Sequence, residues 1–332
     1  MNPIRWGILA PGHIAHKFAQ DLVKTPNARL TAVGSRSLER AEEFAKEYGA
    51  PYAYGSYEEL LTCPELDIVY IASPHIGHYE HTMLCLNAGV AVLCEKPFAM
   101  NRRQVEEMVR TAREKKVFLM EALWSRFMPT ILKTRELIEQ GVIGKVLGVK
   151  ADFGFKGPYD VTNRLFSPAL GGGALLDIGI YPVFWSYLHL GMPTTLKASA
   201  IFSETGVDAS NGMVMTYWEN QFAFLDSTFM AKTSCEGWVY GEKGNIKVHG
   251  RWHESQGMTL ELYGEGREME TQEFNFERDT WGYGYEIEAV GRCLSQGLTE
   301  CPDWSLDHSL DLIQLLDSIR SEIGLRYEAF DA

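Results

Sequence analysis

Apolar and polar positions follow two different textures along this chain. In its first third, apolar runs of strand length recur at residues 4–10, 30–34, 67–72, 91–94 and 117–121. Between them lie turns and stretches with helical spacing, predicted to begin near Ile14, to cover residues 38–48 and 76–88, and to follow Asn101 as an N-cap. Strands that alternate with helices predict a parallel, doubly wound sheet.

The texture changes near residue 122. A helix is predicted over residues 129–140, ending at Gly141, followed by a strand over 145–155. Several strand-length runs separated by turns fill residues 195–276, and helices are predicted near 285–296 and 305–324. The expected organisation is an α/β domain over residues 1–121 and an α+β domain over residues 122–332. The second would hold a largely antiparallel sheet plus helices. A chain of 332 residues is long enough for two such cores.

Composition narrows the functional classes. The net charge is −13 and no basic cluster stands out, which disfavours nucleic acid and anionic membrane as partners. No apolar run reaches the length of a membrane span and the N-terminus does not read as a signal peptide, so a cytoplasmic location is expected. The six cysteines form no C-x-x-C pair or His/Cys ligand spacing, so reduced thiols and no metal site are expected.

Three stretches carry candidate chemistry. The first turn reads Gly7-Ile8-Leu9-Ala10-Pro11-Gly12-His13-Ile14-Ala15. Set against G-x-G-x-x-G/A, Ala10, Gly12 and Ala15 take the three small positions, which let backbone N–H groups at a helix N-terminus approach a pyrophosphate. Alanine is a poorer residue than glycine for an unusual φ, so Ala10 weakens the match. At the end of the second strand stand Ser35-Arg36-Ser37 and then Arg40, where an NAD site usually places an acid on the ribose. Arg36 suits a 2′-phosphate instead, so NADP is favoured, with NAD as the alternative. Ser37 also reads as an ordinary N-cap.

Next comes Ala91-Val92-Leu93-Cys94-Glu95-Lys96-Pro97, a strand that delivers an acid and a lysine to the edge where open α/β sheets bind ligands. The third stretch, Gly171-Gly172-Gly173 running on to Asp177 and Tyr181-Pro182, has glycines that either pass close to something bulky or form a loose loop. Asp177 and Tyr181 are spaced i, i+4 and share a face if the segment is helical, although Pro182 suits only a first turn. The bland alternative has Asp177 capping the helix and Tyr181 packed in the core.

Together these stretches resemble the Gfo/Idh/MocA oxidoreductases, a family named for glucose-fructose oxidoreductase and inositol dehydrogenase, across nearly the whole chain. Glu95-Lys96-Pro97 is the family's most recognisable signature, and residues 171–181 match its glycine-rich segment. Tyr181, where many members carry His, is similar to the branch of dimeric dihydrodiol dehydrogenase and glucose-fructose oxidoreductase, as are the residues Met120-Glu121-Ala122-Leu123-Trp124-Ser125-Arg126-Phe127. His75 departs from the family's usual Asn, while His78 agrees with it.

The resemblance implies hydride transfer between NADP(H) and a carbinol or carbonyl carbon of a sugar or vicinal diol. It implies Lys96, Tyr181 and Asp177 as catalytic residues, with Tyr181 as acid/base and Lys96 as the cation that favours its phenolate; the roles of Lys96 and Tyr181 are exchangeable at this stage. Cofactor contacts are expected from Gly7, Ala10, Gly12, His13, Ile14, Ser35, Arg36, Arg40, Ala72, Ser73, Pro74, His75, His78, Glu95, Lys96, Trp124 and Arg126. Substrate contacts are expected from Trp124, Phe153, Arg164, Asp177 and Tyr181. The resemblance also implies that the open sheet pairs two subunits, as a homodimer or dimer of dimers. Other readings are a reductase of sugar ketones such as 1,5-anhydrofructose, a non-catalytic NADP-binding sensor, and a glycosidase that recycles a tightly held dinucleotide.

Overall fold

The computed structural model describes residues 3–266 and 268–331. The chain divides into two compact units that do not follow chain order: Met1–Phe127 with Asp279–Ile313, and Met128–Arg278 with Gln314–Ala332. The expected break at residues 121/122 therefore has a counterpart six residues later, and the return of residues 279–313 to the first unit has no signal in the hydrophobic pattern.

The first unit alternates β1 (Ile4–Leu9), α1 (His13–Leu22), β2 (Ala28–Gly34), α2 (Leu38–Tyr48), β3 (Tyr52–Tyr54), α3 (Tyr57–Leu60), β4 (Ile68–Ile71), α4 (His78–Asn87), β5 (Ala91–Glu95), α5 (Arg102–Lys115) and β6 (Leu119–Ala122). Among the described residues its strands form one parallel sheet in the order β3-β2-β1-β4-β5-β6. The strands read as continuous apolar runs because both faces are covered: Trp6, Ile8 and Leu9 of β1 and Val92, Leu93 and Cys94 of β5 have no exposed surface. Local chemistry sets the helix ends. Ser37 and Asn101 accept hydrogen bonds from the Arg40 and Gln104 amides, and Gly49 closes α2 in the left-handed region at φ 75°. The short elements β3 and α3 escape the sequence pattern, being too brief to show a period.

Residues 279–313 join this unit through buried acids. The Asp21 carboxylate on α1 accepts the amides of Trp281, Gly282 and Tyr283 at 3.0, 2.8 and 2.8 Å. It thereby holds the start of α8 (Gly284–Ser295). Glu121 of β6 accepts the Phe98 amide at 3.1 Å and the Trp304 indole N–H at 3.3 Å, while burial pushes its carboxyl up to about 7.

The second unit holds α6 (Pro129–Glu139), β7 (Val146–Gly154), α7 (Ile180–Leu190) and strands β8 (Thr195–Phe202), β9 (Asp208–Thr216), β10 (Phe222–Thr228), β11 (Gly237–Gly241), β12 (Gly244–Val248), β13 (Gly257–Tyr263) and β14 (Met269–Asn275). The last helix, α9 (Leu306–Ile323), runs from residues of the first unit into residues of the second. The second unit's sheet has the order β14-β13-β12-β11-β7-β10-β9-β8. Its pairs are antiparallel apart from β7 with β10 among the described strands. One face is apolar and buried, with Val149, Ala151, Met213, Ala223, Leu225, Val239 and Ile246 each 3% exposed or less. The other carries Phe222, Phe224, Trp238 and Tyr240, whose rings meet at 5.1–6.2 Å. No helix among the described residues is long and apolar enough to cross a membrane.

Candidate active site

In the first unit the expected cofactor residues gather where the strand order reverses, between β1 and β4, at the carboxyl edge of the sheet. This is the crevice in which doubly wound sheets bind ligands. After β1 the chain turns sharply: Ala10 adopts φ 66°, and the Gly12 amide donates back to the Ala10 carbonyl at 2.8 Å. Gly12 then opens α1, and no side chain of the described residues caps it. A Cβ built on Gly12 would meet only the Ala10 carbonyl oxygen, at 3.9 Å. Among the described residues no side chain caps the first-turn amides of His13 and Ile14, beside a backbone that a ligand can approach, which fits a pyrophosphate.

At the end of β2, Ser35 is buried and accepts the Ser37 amide at 3.3 Å, while Arg36 and Arg40 are exposed. At this corner Ser37 caps α2, and Arg36 stands exposed at the strand's tip. At the end of β4, Ala72 and Ser73 are buried, Pro74 is exposed and His75 is half-buried. The Ser73 hydroxyl meets His81 Nδ1 at 2.9 Å, so His81, which the sequence did not single out, braces this loop.

Two expected cofactor residues have other tasks. A Cβ on Gly7 would lie 2.7 Å from Leu66, so this glycine serves packing inside β1. The His78 ring is fully buried between two backbone carbonyls, Nδ1 at 2.7 Å from Pro97 O and Nε2 at 2.9 Å from Ser73 O. Burial holds its pKa down to about 4 despite the two carbonyls that favour the cation. His78 thus lies between the loop after β4 and the loop after β5, donating to one of the two carbonyls when neutral, and both ring nitrogens are covered.

Lys96 stands one strand further along the same edge, half-buried, before a cis peptide bond to Pro97. Its neighbour Glu95 points inward: the Tyr70 hydroxyl donates to Oε1 at 2.5 Å and the Lys96 amide to Oε2 at 3.2 Å. Tyr70 is itself stacked on Phe18 at 3.6 Å. Beneath Glu95, Glu286 of α8 is fully buried, and neither carboxyl oxygen has a hydrogen-bond partner among the described residues. Burial, then the charges of Glu95 and Asp21, push its pKa well up, which favours the protonated acid. Trp124 stacks on Tyr283 at 4.7 Å, and Arg126, 2% exposed, lies 3.6 Å from Asp303. All of these belong to the first unit.

The second unit gathers the expected substrate residues Phe153, Arg164, Asp177 and Tyr181. The segment from Leu175 to Gly179 is a π-helical turn that runs directly into α7, with the Ile180 amide donating to the Leu175 carbonyl five residues back. The wider turn explains how Pro182 is accommodated two residues later, since an α turn would set its ring against the carbonyl of residue 178. Asp177 lies within the π turn and is 6% exposed, and Arg164 Nη1 donates to its Oδ1 at 3.0 Å. Tyr181 is 5% exposed, with its ring 5.5 Å from Phe153.

Residues that sequence reasoning missed complete this wall. His253 stacks on Phe153 at 4.1 Å and lies 5.0 Å from Tyr181. It sits in a single 3-10 turn, Trp252–Glu254, which no periodicity marks. Asp177 does not cap the helix. The capping acid is Asp208, at the start of β9, whose Oδ2 accepts the Leu175 amide at 2.8 Å.

The sequence matches two families in turn. Residues 4–123 match the oxidoreductase family with an NAD-binding Rossmann fold, and residues 131–247 match the GFO/IDH/MocA C-terminal domain. The chain is 38% identical over 332 residues to the trans-1,2-dihydrobenzene-1,2-diol dehydrogenase of Xenopus tropicalis, covering 97% of this chain and 99% of the relative. It is 36% identical over 333 residues to the human protein of the same name, covering 98% of each. A 3-ketoreductase from Actinomadura kijaniata, solved with NADP and TDP-benzene, superposes with a TM-score of 0.85 at 26% identity, covering 97% of this chain and 98% of that one. The bare helix N-terminus after β1, the Glu95-Lys96-Pro97 strand end and the full-length identities agree: this chain belongs to the Gfo/Idh/MocA family of oxidoreductases.

Proposed function

We propose that this protein is an NADP-dependent dehydrogenase or reductase acting on a CH–OH carbon of a vicinal diol or sugar, with a trans-dihydrodiol or an aldose such as xylose as the leading substrate class. The observation that carries the reading is the arrangement at one sheet edge of the first unit. A helix N-terminus bare of side-chain caps stands at the β1/β4 switch, and Lys96 is delivered by the neighbouring strand β5. The names of the full-length relatives favour the diol, and the NADP of the solved 3-ketoreductase favours the phosphorylated dinucleotide.

Gly12, His13 and Ile14 bind the pyrophosphate through backbone N–H groups, and Ser35, Arg36 and Arg40 bind the 2′-phosphate. The bound nicotinamide supplies or accepts the hydride at its C4. The protein must then move the proton on the substrate oxygen. Free Tyr and Lys titrate near about 10 and about 10.4, too high for a base at neutral pH. Tyr181 is the acid/base, and Lys96 is the cation that favours its phenolate and polarises the oxygen. Asp177, held by Arg164, orients a substrate hydroxyl, and Trp124 and Phe153 present ring faces to an apolar carbocycle or the C–H face of a sugar.

A panel of aldoses, inositols and trans-dihydrodiols assayed with NADP and NAD tests the reading through reduced-nicotinamide absorbance. Absorbance that never depends on substrate would leave the sensor or the cofactor-recycling glycosidase. Lys96→Met and Tyr181→Phe should each cut turnover by about a hundredfold or more while cofactor still binds. The double variant should be little worse than either, because the two serve one oxygen; multiplicative losses would separate their roles. Arg36→Ala should weaken NADP far more than NAD.

The open face of the second sheet supports a homodimer. Phe224 and Val214 are 47% and 45% exposed beside Phe222, Trp238 and Tyr240, an apolar area that a second copy of the same face would cover. Light scattering on a Phe224→Asp variant should give a monomer where the native chain gives a dimer.

A further inference from the structure

Asp208 lies behind the segment that carries Asp177 and Tyr181, and its surroundings are built with unusual care. The residue is fully buried. Its Oδ2 accepts two hydrogen bonds, from the Leu175 amide at 2.8 Å and from Asn211 Nδ2 at 2.7 Å. Asn211 is 4% exposed and turns its own Oδ1 to the Ser227 hydroxyl of β10, which donates at 2.9 Å. Ser227 in turn presses on the far end of the π turn, since a Cβ built on Gly179 would lie 2.8 Å from its oxygen. At the near end a Cβ on Gly173 would lie 2.4 Å from Asp208 Oδ1, and the Tyr327 hydroxyl donates to the Gly172 carbonyl at 2.5 Å. One chain of polar groups therefore grips both ends of the stretch Leu175–Gly179, all of it within the second unit.

A π turn is a rare, single-turn interruption of an α-helix, so its register has to be imposed from outside. Slipping one residue towards α geometry turns a helical side chain by about 100°. Past the turn, α7 is fixed by its own packing, with Val183, Phe184 and Trp185 fully buried. A slip would therefore move Asp177 while Tyr181 stayed in place. We propose that Asp208, supported by Asn211 and Ser227, is a positioning residue that holds the π register of Leu175–Gly179 and so sets Asp177 against Tyr181. This inference rests on the reading of Tyr181 as acid/base and Asp177 as the substrate-orienting acid. It adds a residue that touches neither substrate nor cofactor.

The test is Asp208→Ala, which removes the one oxygen that accepts both the Leu175 amide and Asn211 Nδ2. With the best diol or sugar of the panel, kcat should fall at least tenfold and the substrate KM should rise severalfold. The KM for NADPH should stay within twofold. The primary isotope effect with hydride-deuterated NADPH should grow, because a misplaced Asp177–Tyr181 pair slows the chemical step itself. A loss of folded protein alone moves neither the isotope effect nor the KM. Asp208→Asn keeps an amide oxygen that can accept both of those hydrogen bonds and should retain most of kcat.

Folded Asp208→Ala protein with native kcat, substrate KM and isotope effect would overturn the proposal. If that variant does not fold, Ser227→Ala decides. It should lower kcat about threefold or more with the same rise in isotope effect, and native kinetics would overturn the proposal. Tyr181→Phe run alongside separates the two claims. Near-native turnover in it defeats the assignment of Tyr181, whereas an inactive Tyr181→Phe beside a native-like Asp208→Ala defeats only the role of Asp208.

Discussion

Two glycine-bearing stretches look alike in sequence and are opposites in the fold. At Gly12 the missing side chain leaves room: a Cβ would meet only Ala10's carbonyl, at 3.9 Å, beside the bare N-terminus of α1. At Gly172 and Gly173 the room is already taken by the protein itself. A Cβ on Gly172 would lie 2.8 Å from the Arg164 and Leu165 carbonyls, and one on Gly173 would lie 2.4 Å from Asp208. Small residues in a motif thus report close approach without saying what approaches. At the first stretch the geometry suits a ligand's phosphates; at the second the chain packs against its own carbonyls and a buried carboxylate.

Gly173→Ala is the strongest way to break this contrast. Gly173 has φ 122°, a region that L side chains rarely adopt, and its neighbour is a buried acid that cannot withdraw without losing the Leu175 amide. Backbone strain and overpacking each cost about 1–3 kcal/mol. The second unit should lose about 3–5 kcal/mol, seen as a lowered denaturation midpoint or a failure to fold. A variant within about 1 kcal/mol of the native chain would mean that Asp208 is not held where the contrast requires.

The same division between clasped and bare runs through the buried acids. Asp208 accepts two hydrogen bonds, and burial raises its carboxyl only to about 6. Glu286 accepts none among the described residues, and its pKa is pushed well above the usual carboxylate range. A carboxyl whose folded pKa is raised favours the fold below its unfolded value, near about 4.3. That contribution is lost as pH climbs towards the folded pKa, by up to about 1.4 kcal/mol per pH unit. Glu286→Gln has no proton to lose. It should match the native chain near pH 4 and surpass it increasingly at neutral and alkaline pH. Parallel stability curves for the two proteins would show that Glu286 is charged in the fold.

Gly12→Ala is the counterpart of Gly173→Ala and should separate binding from stability. With no atom among the described residues beyond its chain neighbours closer than 3.9 Å, the fold should tolerate the methyl within about 0.5 kcal/mol. The KM for the dinucleotide should rise about tenfold, equivalent to about 1.4 kcal/mol of lost binding, because the methyl stands where the phosphates approach. A stability loss like that of Gly173→Ala, with an unchanged KM, would put both glycines in the same structural class.

Much of this was legible beforehand, for physical reasons. The parallel sheet could be read because strands buried on both faces leave uninterrupted apolar runs, and Ser37 and Asn101 marked helix starts by their own chemistry. Lys96 could be placed at the ligand edge because a strand must end where Glu95 and Pro97 stand. What could not be read depends on partners distant in sequence. Asp208 lies 33 residues from the amide it caps, and Glu286 lies on a helix that returns to the first unit after the whole of the second sheet. His78 looked like a ligand residue until two carbonyls accounted for both ring nitrogens. The π turn was hidden because the i, i+4 spacing of Asp177 and Tyr181 assumes a regular helix, whereas Pro182 was the sign that the turn before it is widened.

Ala10 offers the finest test of the open turn. It adopts φ 66°, where an L residue costs roughly 1–2 kcal/mol and glycine almost nothing. Ala10→Gly relieves that strain but gives back about 0.5–1 kcal/mol, through the greater freedom of glycine in the unfolded chain. The balance should leave the first unit more stable by about 0.5 kcal/mol, with the dinucleotide KM unchanged within twofold. The methyl is half-buried, so a loss of stability would mean that its packing outweighs the strain. A large gain in cofactor affinity would mean instead that the alanine holds the turn away from its best binding geometry. The first outcome would make the departure from the glycine fingerprint a matter of packing, and the second would make it a setting of cofactor affinity.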